Sequence, residues 1–106
     1  MTGIRASERW PIRCEIRCQA GDQTFEAESF DISENGMSFI TDAHLPVDSE
    51  VELRYRLHPE DPLIIVRVLV RSQVGNRVGV QFLDLKHEHR ERLLQHRARV
   101  AYAGKR

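Results

Sequence analysis

Apolar residues recur at every second position along much of this chain, and this alternation is the feature that most constrains its fold. Positions 12, 14, 16 and 18 are apolar, whereas positions 13, 15 and 17 are charged. Comparable series begin near residue 51 and near residue 64. Because successive side chains of a strand point to opposite faces, each series predicts a half-buried β-strand.

Pairs of turn-forming residues separate the alternating segments. Gly21-Asp22 and Gly75-Asn76 each lie between two such segments, and Asn35-Gly36 is a pair typical of a tight hairpin turn. Together with a loop at 58–62 that contains two prolines, these turns divide the chain into six short strands. Six short strands with closely spaced turns predict an antiparallel β-barrel.

The spacing of apolar residues changes near the C-terminal end of the chain. Leucines and alanines recur there at helical intervals within a polar, arginine-rich segment, which predicts an amphipathic helix over about residues 87–101. The apolar positions of this helix are Leu93, Leu94, Ala98 and Ala101. The predicted fold class is therefore mainly β, a six-stranded antiparallel barrel with a C-terminal α-helix over one end.

The length of 106 residues is enough for one domain. We predict an N-terminal arm over residues 1–11, the barrel over residues 12–85, and the C-terminal helix and tail over residues 86–106. Residues 1–10 lack apolar periodicity, so nothing in the sequence predicts an anchor for the arm on the barrel. We therefore expect a mobile arm.

The charge and hydropathy patterns disfavour several classes of function. The net charge is zero at neutral pH, which argues against a nucleic-acid partner, and no apolar run approaches the roughly 20 residues that span a bilayer. The first residues contain no apolar stretch of the kind that a signal peptide needs. We therefore expect a cytoplasmic protein without a membrane partner.

No sequence pattern is typical of an active site or a metal site. The chain contains no glycine-rich phosphate loop, no nucleophile elbow and no HExxH motif, so we predict no enzymatic activity and no cofactor. Cys14 and Cys18 would lie about 13 Å apart on one strand, too far for a disulfide. The histidines show no ligand spacing beside them, so we expect two reduced core cysteines and no metal.

Two polar clusters combine residue types that are suited to binding a ligand. The first cluster, Arg5 and Arg9, precedes the first strand, and the second, Asp31, Ser33 and Gly36, lies where one strand turns into the next. Asp31 and Ser33 are two apart on a strand and are expected to share a face, while Gly36 can take a positive φ and let a ligand approach the backbone. A hairpin closed by an Asx or Ser turn would use the same residue types as the second cluster.

Taken together and in this order, the two clusters resemble the signature of the PilZ domain family, R-x-x-x-R followed by D-x-S-x-x-G. Arg5 and Arg9 match the first motif, and residues 31–36 match the second. The entry into the first strand and the ending at residues 77–85 are also similar to the family. The resemblance covers about residues 4–98.

A second assignment of the first motif stays open, because Arg9 and Arg13 have the same spacing as Arg5 and Arg9. We prefer Arg5 and Arg9, since Arg13 alternates with apolar residues inside the first predicted strand. With that choice Pro11 also lies where the family has a proline.

The resemblance implies a receptor for the bacterial second messenger cyclic di-GMP. The ligand-binding residues that it implies are Arg5, Arg9, Asp31, Ser33 and Gly36. An arginine pairs bidentately with guanine O6 and N7 or with phosphate oxygens, and a carboxylate suits the donor edge of guanine. We therefore assign Asp31 to the guanine N1–H and amine, Ser33 to a hydroxyl contact, and Gly36 to the geometry of the turn.

The resemblance also implies a protein partner or a fused effector domain that reads a conformational change in the receptor. One alternative is a PilZ-like protein–protein interaction module that does not bind nucleotide, and another is a nucleic-acid-binding barrel that uses the basic helix. Trp10 is expected to pack against the barrel rather than to stack on a base. The helix residues that are candidates for a partner surface are Arg90, Arg92, Arg97 and Arg99.

Overall fold

The computed structural model describes residues 8–103 of the chain, with side chains for residues 8–100. This part of the chain forms seven strands and one helix. The elements are β1 (Trp10–Pro11), β2 (Glu15–Ala20), β3 (Gln23–Ile32), β4 (Gly36–Ile40), β5 (Glu50–Tyr55), β6 (Ile64–Val74), β7 (Arg77–Phe82) and α1 (His87–Ala103).

Six of these strands close into an antiparallel barrel. Neighbouring strands follow the order β3-β2-β5-β6-β7-β4, and the ring closes because β4 also pairs with β3. The two-residue β1 pairs with the last two residues of β3, Asp31 and Ile32, next to this closure. The predicted six-stranded antiparallel barrel with a C-terminal helix is confirmed.

The alternating apolar residues point into the barrel and form its core. On β2, Ile16 and Cys18 are buried, while the charged residues between and beside them are exposed. Two of the predicted turns are two-residue hairpin loops that begin with Gly21 and Gly75, each at a φ of 62°. Both cysteines are free thiols, with Cys18 buried and Cys14 partly buried, as expected.

The helix α1 covers the barrel through a stripe that differs from the predicted one. Leu93 is fully buried in the core, and Val100 packs against it, but Ala98 is exposed. The assignment of Ala98 to the packing face is therefore wrong, and His96 lies on the buried side instead. Within the described residues, no helix combines the length and apolar character needed to cross a bilayer.

The end of the N-terminal arm is held on the barrel by Trp10. The indole is 6% exposed, belongs to the core cluster, and donates a hydrogen bond from Nε1 to Nδ1 of His96 at 3.0 Å. Arg9, next to it, pairs with Asp31. The expectation that nothing anchors residues 1–10 on the barrel is wrong for Arg9 and Trp10, and residues 1–7 lie outside the described part.

The contact between Trp10 and His96 makes stability depend on pH. Burial lowers the pKa of the His96 imidazole below its ordinary value, and the nearby Arg99 acts in the same direction. A neutral Nδ1 is also required to accept the indole proton. As pH falls through about 6.5, the ordinary pKa of histidine, the unfolded chain gains a proton that the folded protein takes up only at lower pH. The stability contributed by neutral His96 is therefore lost progressively below this pH.

We expect the variant His96→Gln to lose less stability than the wild type between pH 7.5 and pH 5.5. The glutamine carbonyl accepts the same indole proton but does not titrate in this range. The measurement is the melting temperature of both proteins at several pH values, with His44→Gln, in an exposed loop position, as the control. Parallel pH profiles for wild type and His96→Gln would contradict the role assigned to His96.

Candidate functional site

The carboxylate of Asp31, at the end of β3, is the centre of a small polar network. Its Oδ1 accepts a hydrogen bond of 2.6 Å from the Ser38 hydroxyl and pairs at 2.8 Å with Nη1 of Arg9. Its Oδ2 lies 3.6 Å from Nη2 of Arg77. The Asp31 side chain is only 15% exposed, so these three groups provide most of its polar surroundings. Two of the residues predicted for the site, Arg9 and Asp31, are therefore brought together.

The surface beside Asp31 is a row of small residues across four strands. Asp31 on β3 pairs with Ser38 on β4, Ser38 pairs with Gly79 on β7, and Gly79 pairs with Ser72 on β6. These residues lie on the outer face of the barrel, because their neighbours along β4 and β7 point into the core. Ser72 and Gly79 line an open groove together with Arg9, and Ser38 lines a smaller adjoining pocket with the same three residues.

Ser33 follows the last residue of β3, and its side chain holds the loop that leads to β4. The hydroxyl accepts hydrogen bonds from the backbone N–H groups of Asn35 and Gly36, both at 3.2 Å, and donates to the Gly36 carbonyl at 3.3 Å. The residue is 2% exposed. The second cluster thus contains the serine-closed turn that its residue types allow.

Gly36 is required for a reason other than the one expected from the sequence. It is the first residue of β4, and neither Asn35 nor Gly36 has a positive φ, so the expectation of a tight Asn-Gly hairpin turn is wrong. The structure instead brings the backbone of β7 against Gly36. A Cβ built on this residue would lie 2.1 Å from the carbonyl oxygen of Val80 and 3.2 Å from Cα of Gln81.

Arg77 is a member of the site that sequence reasoning missed. Besides its contact with Asp31, its guanidinium stacks over the ring of Phe30 at 4.1 Å. Phe30 is the extra residue of a β-bulge, since the register with β4 shifts between Ser29 and Asp31. Phe30 is 48% exposed, a high fraction for an aromatic residue, and this exposure is the signal of its unusual position.

The described residues leave the choice between the two arginine motifs open. Arg9 and Arg13 both line a second groove, of about 780 Å³, that Asp31 and Phe30 share. Arg5 lies outside the described residues, so its place in the site stays a prediction.

Two of the helix arginines contact Glu34, which lies between Ser33 and Gly36 of the second cluster. Glu34, in the loop that Ser33 holds, lies 3.7 Å from Arg90 and 3.8 Å from Arg97. Arg97 is also 3.9 Å from Glu8 and lies over the Trp10 ring. Exposed ion pairs of this length contribute little energy, but they place α1 beside both clusters.

Metal chemistry finds no support among the described residues. No group of three or more histidine, cysteine, aspartate or glutamate side chains in residues 8–100 is arranged to hold an ion. The polar groups gathered at Asp31 are arginines and serines, which suit acceptor-rich organic anions better than cations.

The contact between Gly36 and β7 predicts that Gly36→Ala is strongly destabilising. The atoms that its methyl group would meet belong to backbone and cannot rotate away, so we expect a loss of about 1–3 kcal/mol or more in the free energy of unfolding. Gly79→Ala is the matched control, because its methyl group would meet the mobile Ser72 hydroxyl at 2.8 Å. Chemical denaturation of both variants gives the comparison, and an equal loss in the two would contradict this explanation.

Comparison with solved structures finds the same fold in several bacterial proteins. MotI/DgrA, the inhibitor of motility of Bacillus subtilis, gives a TM-score of 0.86 at 17% identity, with 99% of this chain and 55% of that chain covered. The chain thus spans about half the length of that protein. The PilZ domain of Escherichia coli YcgR with c-di-GMP gives a TM-score of 0.70 at 16% identity, covering 96% of this chain and 98% of that one. The K. pneumonia MrkH–c-di-GMP complex gives a TM-score of 0.74 at 16% identity, with 99% of this chain and 55% of that chain covered.

Sequence comparison identifies the family directly. None of the curated proteins matches the chain. A model of the PilZ domain family, however, matches residues 4–99, nearly the whole sequence. This match confirms the resemblance carried by the two clusters and by the ending of the last strand, and the chain belongs to the PilZ domain family.

Proposed function

We propose that this chain is a receptor domain for cyclic di-GMP, which it binds through Arg5, Arg9, Asp31, Ser33 and Gly36. The observation that carries the proposal is the meeting of Arg9 and Asp31, 22 positions apart in the sequence, at 2.8 Å beside the groove. Ser33 and Gly36 line the same groove as Arg9, and its volume is about 1210 Å³. Small-molecule sites usually measure about 300–1,000 Å³, so this groove suits a large ligand such as a dinucleotide.

The chemistry of the gathered groups fits the proposed ligand. Cyclic di-GMP presents two guanines and two phosphates, which together offer many acceptor oxygens and two donor edges. Arg9 supplies a guanidinium fork for phosphate or for guanine O6 and N7, and Asp31 supplies a carboxylate for the N1–H and amine. Ser33 and Gly36 act by shaping the loop that borders the groove.

The structural relatives support the same ligand class. YcgR and MrkH share the fold of this chain, and both were solved with c-di-GMP. The shared fold alone does not carry a ligand across at these identities, so the proposal rests on the residues that gather at Asp31.

Binding of the dinucleotide would reorganise the network at Asp31. A guanine edge that donates to the carboxylate competes with Arg9 and Arg77 for the same oxygens, so the arginines turn toward the ligand. Their new positions change the surface formed by the arm and the barrel. A protein partner or a fused effector domain in the cytoplasm then reads that surface, and the domain needs no catalytic step.

The alternative, a PilZ-like interaction module that does not bind nucleotide, makes the opposite prediction in one experiment. Calorimetric titration of the protein with cyclic di-GMP at physiological salt gives saturable binding if the proposal is right. Absence of binding would leave the interaction module as the better description. The nucleic-acid alternative is weakened because Arg90 and Arg97, on the basic helix, face Glu34.

We expect Arg9→Ala and Arg5→Ala each to weaken cyclic di-GMP binding by about 10- to 100-fold, the effect of losing a charge-assisted hydrogen-bond partner. The control is Arg17→Ala, which removes an exposed arginine of β2 that pairs only loosely with Glu26. Calorimetry on folded variants measures the effect. Full affinity in Arg5→Ala together with a loss in Arg13→Ala would move the first motif to Arg9 and Arg13.

The variant Asp31→Ala tests whether the carboxylate accepts hydrogen bonds from guanine. We expect it to weaken cyclic di-GMP binding more than cyclic di-AMP binding, because adenine has neither the N1–H nor the 2-amino group from which the carboxylate would accept hydrogen bonds. Glu26→Ala, which removes an exposed carboxylate from the same strand, is the control. Equal losses for the two dinucleotides would assign Asp31 a structural role.

A further inference from the structure

Arg71 lies on the side of the groove away from Asp31, on β6. It lines the groove together with Arg9, Ser72 and Gly79. Neither of the two predicted clusters contains it, and the apolar alternation of β6 gives no reason to single it out. Its position is nevertheless specific, because the local geometry of β6 changes at this residue.

A β-bulge directs Arg71 toward the groove. The register between β6 and β7 shifts between Val70 and Ser72, so Arg71 is the extra residue of the bulge. Bulges of this kind re-aim single side chains and are common beside functional sites. The shift has a visible consequence, since beyond it Gln73 turns inward and Val74 is 79% exposed.

None of the described side chains engages the guanidinium of Arg71. Within residues 8–100 it has no ion pair and no side-chain hydrogen bond, whereas Arg9 and Arg77 both contact Asp31. The residues of β6 and β7 that line the groove with it, such as Ser72, Gly79 and Gln81, are neutral. The other charged groups of the lining are Arg9 and Glu8, and Glu8 lies 3.9 Å from Arg97. An exposed cation over a floor of small residues is well placed to meet an anionic group that rests on that floor.

The spacing of the strands indicates which part of a dinucleotide reaches Arg71. Adjacent strands lie about 4.8 Å apart, so the three steps from β3 to β6 separate Asp31 from Ser72 by roughly 14 Å. A guanine held at Asp31 occupies the first of these steps. The ring of sugars and phosphates then extends over the small residues Gly79 and Ser72, on a surface that Arg9, Val74 and Arg77 also line.

We propose that Arg71 is a further ligand-binding residue, which contacts the phosphates of the dinucleotide from the barrel side of the groove. The inference rests on the proposed function and deepens it, since it adds a group from β6 to a site otherwise built from the arm and the loop between β3 and β4. An arginine or a lysine can contact a phosphate through charge alone, whereas reading a guanine requires the arginine fork. This difference provides the test.

The experiment is calorimetric titration of cyclic di-GMP into wild type, Arg71→Ala and Arg71→Lys. We expect Arg71→Ala to bind about 10- to 100-fold more weakly and Arg71→Lys to stay within about threefold of the wild type. The control is Arg67→Ala, which removes an arginine from the same strand and face but outside the groove. Melting temperatures of all variants establish that each protein is folded.

Two results would overturn the inference. Affinity of Arg71→Ala within twofold of the wild type would show that the residue does not contact the ligand. Equal weakening in Arg71→Ala and Arg71→Lys would show that the arginine fork reads a base and not a phosphate. Failure of the wild type to bind cyclic di-GMP is a separate outcome, because it would refute the proposed function itself.

Discussion

The pairing of β4 with both β3 and β7 is the constraint on which the rest of the site depends. Closure of the barrel at this point places Asp31, Ser38, Gly79 and Ser72 in one row, although they are separated by up to 48 positions in the sequence, from 31 to 79. The two strands β4 and β7 also approach closely at Gly36, where the backbone of Val80 leaves no room for a side chain. A ligand-sized groove on the outside of the barrel is therefore a direct consequence of how the sheet closes.

The same closure determines which groups surround the Asp31 carboxylate. A partly buried carboxylate needs hydrogen-bond donors, and Ser38, Arg9 and Arg77 provide them. A ligand that donates to Asp31 must replace some of these contacts, so it gains only the difference between two satisfied arrangements. The binding energy must then come mainly from groups that have no hydrogen-bond or ion-pair partner before the ligand binds. This argument favours moderate affinity. It gives a larger share of the binding energy to Arg71, which has no ion pair within residues 8–100.

Much of the architecture was predictable because it depends on local patterns. Alternation identified the strands, and the change of spacing identified α1, since both reflect which side chains face the core. The two bulges were not predictable from the sequence. A bulge is an extra residue relative to the neighbouring strand, so it can be recognised only when the pairing of the two strands is known. Val74 illustrates the problem, since it continues the apolar series of β6 yet is exposed. The bulges position Phe30 and Arg71, so the parts of the site that escaped prediction are those that depend on strand pairing.

Gly36 and Ser33 show that the structure can require a motif residue for a physical reason other than the one the sequence suggests. The sequence pattern fits a turn with a glycine at positive φ, whereas the structure requires glycine because Val80 leaves no room for a side chain. Likewise, the Ser33 hydroxyl is occupied by the loop backbone. In the site that we propose, these two residues would form the rigid part, and Arg9 and Asp31 would form the part that exchanges partners.

Trp10 marks the point at which the backbone of the arm becomes fixed on the barrel. Its burial and its hydrogen bond to His96 hold the backbone at β1, next to Arg9. The Arg9 side chain is 48% exposed and can therefore leave Asp31 by rotation about its own bonds while β1 stays paired. We expect the conformational change on ligand binding to begin at this side chain. We expect any change in the backbone of the arm to be confined to the residues that precede Arg9. Because Arg97 lies over Trp10 and beside Glu34, α1 borders both the fixed and the exchanging parts of the site.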